Sequence, residues 1–343
     1  MRNVDYYSVL KLWVKAWGES LEAFMRCRKC TSNGLQGNHH FSFLIPHFSL
    51  YLLLVIVSLF TACTSIPKNT TLEEGNAVYY WRTDLRLDST ERAFLQQYHI
   101  NKVYCRYFDV VMSESGEPKP NATITFSDPL PDSIEIIPTV YITEDCMHQK
   151  HEGFAEKLVK RILQMNETNN IHNVREIQID CDYTSKSRKT YYEFLKAVSV
   201  SWNLGYPRKD LGQPKISTTI RLHQLSMEAP PVDYGSLMIY NTGDPSKWEE
   251  RNPILDYRDV YPYLDRLDQY PLPLAAAYPV FHWIRDIYGV RVEHTVEAEE
   301  ILKVKRAMEK ERKNLSRSII TYHLDKENIN RYKPETYEEI YHH

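Results

Sequence analysis

Glu176-Ile177-Gln178-Ile179-Asp180-Cys181-Asp182 is the stretch on which the fold turns. Polar and apolar residues alternate through it, the two-residue period of a β-strand that turns one face to each side. The period changes on both flanks. Upstream, Phe154, Leu158 and Ile162 share one helical face, and downstream Tyr191, Phe194, Leu195 and Val198 repeat the i, i+3, i+4, i+7 spacing. A strand enclosed by two helices is the repeating unit of a parallel sheet.

Working outward, the same alternation of elements fills the chain from residue 77. Strands are expected at Ala77–Arg82, Lys102–Val111, Ile134–Ile142, Glu176–Asp182, Lys215–Leu222, Ser236–Asn241, Pro273–Trp283 and Ser318–Leu324. Asp88-Ser89 offers an N-cap to a helix carrying Phe94, Leu95 and Tyr98 on one face. A long charged helix is expected over Val296–Leu315, and a short cap helix in the C-terminal tail. This order predicts an α/β fold, a single-domain (β/α)8 TIM barrel, whose usual size is ~250 residues. An open doubly wound sheet normally shows a Gly-rich phosphate turn after its first strand. Here that strand runs into Trp81-Arg82-Thr83-Asp84, so the barrel is favoured.

Upstream of the barrel the sequence reads as an address. Phe48–Phe60 (FSLYLLLVIVSLF) carries no charge and is short for a membrane span of ~20 residues, but it suits the apolar core of a secretory signal. Thr61-Ala62-Cys63 follows at once, and small residues before a Cys resemble the lipobox of bacterial lipoproteins, which makes Cys63 the candidate lipidation site. The expected organisation is an N-terminal extension over 1–47 (an over-long start or a cytoplasmic segment), a signal core over 48–62, a polar tether over 63–76 and the barrel over 77–343. An uncleaved signal anchor is the alternative. Either way the barrel is expected outside the cytoplasmic membrane; as a lipoprotein it would be a membrane-anchored monomer of the cell envelope, on the outer membrane or cell surface. Removal of Cys27, Cys30 and Cys63 leaves Cys105, Cys146 and Cys181, an odd number that implies no disulfide framework.

Composition narrows the function. Lys and Arg total 42 against 45 Asp and Glu, and a net charge of −3 argues against a nucleic-acid partner. The absence of G-x-G-x-x-G and P-loop patterns leaves nucleotide cofactors without an anchor, and no cofactor is expected. His223, His282 and His323 end strands, but no H-x-H follows the first strand, so no metal site is expected. The 25 Tyr and 6 Trp are enough to line a surface for flat ligands such as sugar rings.

In a barrel of this kind the active site lies at the C-terminal ends of the strands. Those ends carry Trp81, Arg82, Arg106, Asp109, Asp180, Asp182, Arg221, His223, Tyr240, Asn241, Trp283, His323 and Asp325. Aromatic faces, carboxylates and amides together suit a sugar. Alternation turns Gln178, Asp180 and Asp182 toward one side, expected to be the barrel interior, where two nearby carboxylates raise one another's pKa. Such a pair serves acid–base catalysis, though a D-x-D at a strand end serves equally to hold a cation or cap a helix.

IQIDCD resembles the fourth-strand signature of the chitinase-type glycoside hydrolases of family 18, D-G-x-D-x-D-x-E. In that alignment Asp180 falls on the last Asp and Asp182 on the catalytic Glu. Gln178 replaces an earlier Asp, and Glu176 stands where Gly is usual. Met238-Ile239-Tyr240-Asn241 resembles the family's M-x-Y-D/N element, whose Tyr helps to hold an acetamido group. The family's strand-end Trp, the floor of the sugar subsite, would be Trp283. The whole chain also resembles uncharacterised bacterial lipoproteins predicted to be barrel hydrolases. The resemblance implies an exported hydrolase acting on an N-acetylated glycan through Asp180, Asp182 and Tyr240. Since Asp182 is one methylene shorter than Glu, a non-catalytic glycan-binding barrel is the alternative.

Overall fold

The computed structural model describes residues 74–342, apart from residues 129–130, 132, 208–209, 211 and 288–289. The N-terminal extension, the signal core, Cys63 and the proposed acylation lie outside the described residues. Among the described residues no helix is long and apolar enough to cross a membrane.

Eight parallel strands close into a barrel. They are β1 (Gly75–Tyr80), β2 (Ile100–Met112), β3 (Glu135–Ile142), β4 (Glu176–Asp180), β5 (Lys215–Arg221), β6 (Tyr234–Met238), β7 (Leu274–Pro279) and β8 (Ser318–Tyr322). Each pairs with its sequence neighbours, and β1 closes the ring by pairing with both β8 and β2. The fold is the expected (β/α)8 barrel.

The helices follow the apolar stripes. α1 (Ser89–Gln97) starts at Asp88, whose side chain accepts from the Glu91 backbone N–H while Glu91 accepts from that of Asp88. This reciprocal capping satisfies two donors that the first turn would otherwise leave unpaired. α2 (Phe154–Thr168) buries Leu158, Val159 and Ile162. α3 (Arg188–Gly205) buries Tyr191, Phe194, Leu195, Val198 and Trp202. Each such side chain contributes roughly 1.5–3 kcal/mol by leaving water. The long charged stretch forms α4 (Ala298–Glu311), followed by a 3-10 turn over Lys313–Arg317, and the tail forms α5 (Pro334–Ile340).

Six of the eight strands (β1 and β4–β8) end before the expected bounds, and two of those ends displace a candidate residue from the barrel wall. β4 stops at Asp180, so Asp182 lies in the following loop instead of inside the barrel. β7 stops at Pro279, and Trp283 opens a separate antiparallel ribbon, Trp283–Ile287 paired with Val290–His294. Trp283 therefore belongs to an excursion after β7 and not to the barrel wall.

The interior is polar. Tyr79 Oη donates to Gln178 Oε1 at 2.8 Å, and Gln178 Nε2 donates to the hydroxyls of Ser217 and Ser236 at 3.2 and 3.0 Å. Nearer the N-terminal end, Glu176 accepts from Ser217 at 2.5 Å and from Tyr234, which also bonds Tyr104. A fully connected network of this kind is what makes buried polar groups tolerable.

Candidate functional site

Above that network three strands present side chains at one level. β2 carries a bulge: Arg106 pairs with Thr139 but Phe108 with Val140, so Tyr107 is an extra residue. Residues three apart on a regular strand face opposite ways; the bulge turns Arg106 and Asp109 to the same side. Arg106 Nε then donates to Asp109 Oδ1 at 2.7 Å. The register continues from Asp109 to Tyr141 on β3 and from Tyr141 to Asp180 on β4.

Asp180 is 3% exposed and accepts from the Thr219 hydroxyl of β5 at 2.6 Å. Burial raises its pKa, Arg221 opposes that shift, and Asp182 adds to it. Arg221, the last residue of β5, places Nη2 3.5 Å from Asp180 Oδ1 and donates Nε to Asp182. Its Nη1 abuts the Met238 sulfur. Burial alone would lower the pKa of Arg221, but the two carboxylates more than offset that, and it stays charged. Asp182, with its side chain 49% exposed, thus stands at the rim and is bonded to the cluster through Arg221. The expectation that Gln178, Asp180 and Asp182 share the interior holds for Gln178 and Asp180 alone.

The aromatic part of the site is richer than the strand-end reading. Tyr240, just past β6, stacks on Tyr322 at 4.8 Å, and its buried hydroxyl has no hydrogen-bond partner among the described residues. Tyr322, the last residue of β8, also packs on Trp81 at 5.8 Å and on Phe281 at 5.3 Å. It occupies the strand-end aromatic position that Trp283 was expected to supply. Arg106 lies 5.7 Å from the Trp81 ring. Tyr141, on the wall between Asp109 and Asp180, has its pKa pushed up to about 12 by burial, then by Asp182 and Asp180. Neither Tyr141 nor Tyr322 stood out in the sequence, because a single Tyr among 25 carries no local mark of facing a site.

Asp182, Arg221, His223, Tyr240, Asn241 and Tyr263 line one cavity of about 270 Å³. That is just below the roughly 300–1,000 Å³ of ligand pockets. His223 stands at its exposed edge, where partial burial lowers its pKa against the pull of Asp182. Asn241 adopts φ 54°, a left-handed conformation that Asn tolerates better than most residues.

Other expected site residues are placed elsewhere. Arg82 pairs at 2.8 Å with Glu91, which is 1% exposed, and its guanidinium covers the Tyr80 ring. Asp325 caps the short helix Lys326–Ile329, accepting from the Asn328 backbone and side chain, both at 2.9 Å. His323 Nδ1 lies 3.4 Å from Asp325, and burial lowers its pKa. All three arginines of the expected ring are thus held by carboxylates of the same chain. Among the described residues no group of three or more His, Cys, Asp or Glu is arranged to hold a metal ion. Cys105, Cys146 and Cys181 are free and buried, and burial raises the pKa of each thiol.

The sequence matches no protein-family model and no curated protein. Solved structures do match. A chitinase from Bacteroides thetaiotaomicron superposes with a TM-score of 0.53 at 10% identity, covering 78% of this chain and 96% of that one. The chitinase-like agglutinin RobpsCRA from Robinia pseudoacacia gives a TM-score of 0.50 at 9% identity, covering 77% and 99%. At such identities the likeness speaks for the backbone and not for the chemistry, and on that ground the chain has the chitinase-type (β/α)8 fold.

Proposed function

We propose that the mouth of this barrel binds a glycan and holds it without cleaving it. The observation that carries this reading is the position of Arg221, whose guanidinium engages Asp180 and Asp182 together. An acid catalyst must present a protonated carboxyl to the glycosidic oxygen, and here Arg221 holds one of the two Asp182 oxygens, Oδ1. Trp81 and Tyr322, both part-exposed at the mouth, supply faces for the apolar side of a pyranose, with Tyr240 stacked beneath Tyr322. Asn241 and His223 supply polar edges for its hydroxyls or acetamido group. The fold is shared by a chitinase and by a chitinase-like agglutinin, so both cleavage and binding have precedents on it.

Hydrolysis at the same mouth is the second reading, and one observation favours it. The Tyr240 hydroxyl is buried, has no partner among the described residues, and shares the mouth with Asp180, whose pKa is raised. In a retaining, substrate-assisted reaction Asp182 would protonate the leaving oxygen and Asp180 would orient the acetamido nucleophile. Tyr240 and Asn241 would then hold the acetamido carbonyl.

A glycan array followed by mass analysis of each bound glycan separates the two. Binding with no product, by wild type and Asp182→Asn alike, supports the binding reading. Product formation that Asp182→Asn abolishes overturns it in favour of hydrolysis, and no glycan bound overturns both. The exported, lipid-anchored placement rests on residues 48–63 alone, and an intact-mass measurement showing acylation at Cys63 tests it.

A further inference from the structure

A second cavity lies outside the barrel, between the loop after β3, the first turn of α2 and the first half of α3. It encloses about 610 Å³, within the range of small-molecule sites. Met147, Phe154, Phe194 and Ala197 form its apolar wall, with the two Phe rings stacked at 4.7 Å and 27°. His151 also lines it.

His151 is the telling group. Its side chain is 5% exposed, yet its Nε2 is buried with no hydrogen-bond partner among the described residues. Glu117 Oε2 lies 3.8 Å from the opposite nitrogen, Nδ1, and a neutral ring carrying its proton on that side offers Nε2 as an acceptor. Buried acceptors are rarely left unpaired, so this one calls for a donor. The charges around the cavity point the same way. Glu152, Glu156 and Glu193 line it against Lys150 alone. Glu152 and Glu156 flank the first turn of α2 and offset its dipole. Glu193 comes from α3, has no such dipole to answer, and makes no ion pair among the described residues.

We propose that this cavity binds a small apolar molecule bearing one protonated amine. The ammonium donates to His151 Nε2 and is balanced by Glu193, while the hydrocarbon or ring packs on Phe154 and Phe194. An ammonium over an aromatic face gains further attraction from the ring quadrupole. The site is separate from the barrel mouth and does not depend on what the mouth binds.

Benzylamine is the probe, titrated into the full chain and followed by calorimetry, with benzoate as the control of opposite charge. Benzylamine binds one to one and benzoate does not. Glu193→Gln and His151→Phe each weaken benzylamine binding by about tenfold, the worth of one charge-assisted hydrogen bond. Ala197→Trp fills the cavity and abolishes binding without unfolding the protein. Should Ala197→Trp fail to fold, His151→Phe decides, because it removes the unpaired nitrogen at similar volume. The proposal fails if benzylamine does not bind, if benzoate binds as well, or if neither His151→Phe nor Ala197→Trp changes the affinity.

Discussion

The guanidinium of Arg221 lies 3.5 Å from Asp180 Oδ1, on the adjacent strand of the barrel. It is the counter-charge that allows a carboxylate to sit 3% exposed at the top of the barrel interior. Removing it leaves that charge buried and alone, which costs about 3–5 kcal/mol. Arg221→Met is therefore expected to lose about 3 kcal/mol of stability in urea denaturation at pH 8. The loss is smaller at pH 5, because Asp180, whose pKa is already raised, takes a proton more readily there. Wild-type stability for Arg221→Met at pH 8 would show that Asp180 does not depend on this partner.

Tyr240→Phe separates a structural role from a binding one. Its hydroxyl is buried and unpartnered, so deleting it removes no internal hydrogen bond. The variant is expected to match wild type in stability or exceed it by about 1 kcal/mol. Its glycan affinity, measured by calorimetry, is expected to fall about tenfold, since the missing hydroxyl is the donor held in readiness for the ligand.

Glu176 ties stability to pH. Burial raises its pKa from 4.5 to about 7 against the hydrogen bonds from Ser217 and Tyr234 and the charge of Lys102, with Glu135 adding to the rise. The folded state thus binds more protons than the unfolded chain between those values. The stabilisation is complete below pH 4.5 and is lost as pH rises through 7, by about 3 kcal/mol in all. Glu176→Gln keeps a hydrogen-bonding side chain without the charge, so it should flatten this slope. Parallel pH–stability profiles for the two proteins would remove Glu176 as the cause.

Arg82→Ala tests the assignment of that residue to structure. Glu91, 1% exposed, loses its guanidinium partner while keeping its bond from the Asp88 backbone. A lowered melting temperature, equivalent to about 2 kcal/mol, is expected with glycan affinity unchanged per folded molecule. A selective loss of affinity at full stability would return Arg82 to the binding site.

The eight strands were legible because each leaves an alternating or continuous apolar run bounded by a change of period, and the helices because their buried faces recur every three or four residues. Strand ends were less so. The alternation of Glu176–Asp182 continues past the last ladder bond, and where β4 stops depends on where β3 and β5 cease to pair with it. That is why Asp182 reads as an inward residue yet stands at the rim. The same limit applies to Pro273–Trp283, whose apolar character runs on past Pro279 into a segment that turns away from the barrel.

The candidate site divides along the same line. Sequence placed Asp180, Asp182, Arg221, His223, Tyr240 and Asn241 at strand ends, and five of the six, all but Asp180, line one cavity. It gave no sign that Arg221 would take up both carboxylates, because the pair with Asp182 joins residues 39 apart. Nor could it tell Tyr141 and Tyr322 from the other tyrosines.

Local periodicity determined that this chain alternates strands with helices around a parallel sheet, and the missing Gly-rich turn favoured a barrel over an open sheet; the pairing of β1 with β8 is what closes it. Which charges at the mouth remain free for a ligand was decided only by tertiary structure. A side chain carries its charge wherever it sits, but whether that charge is spent depends on the partner that folding brings within reach.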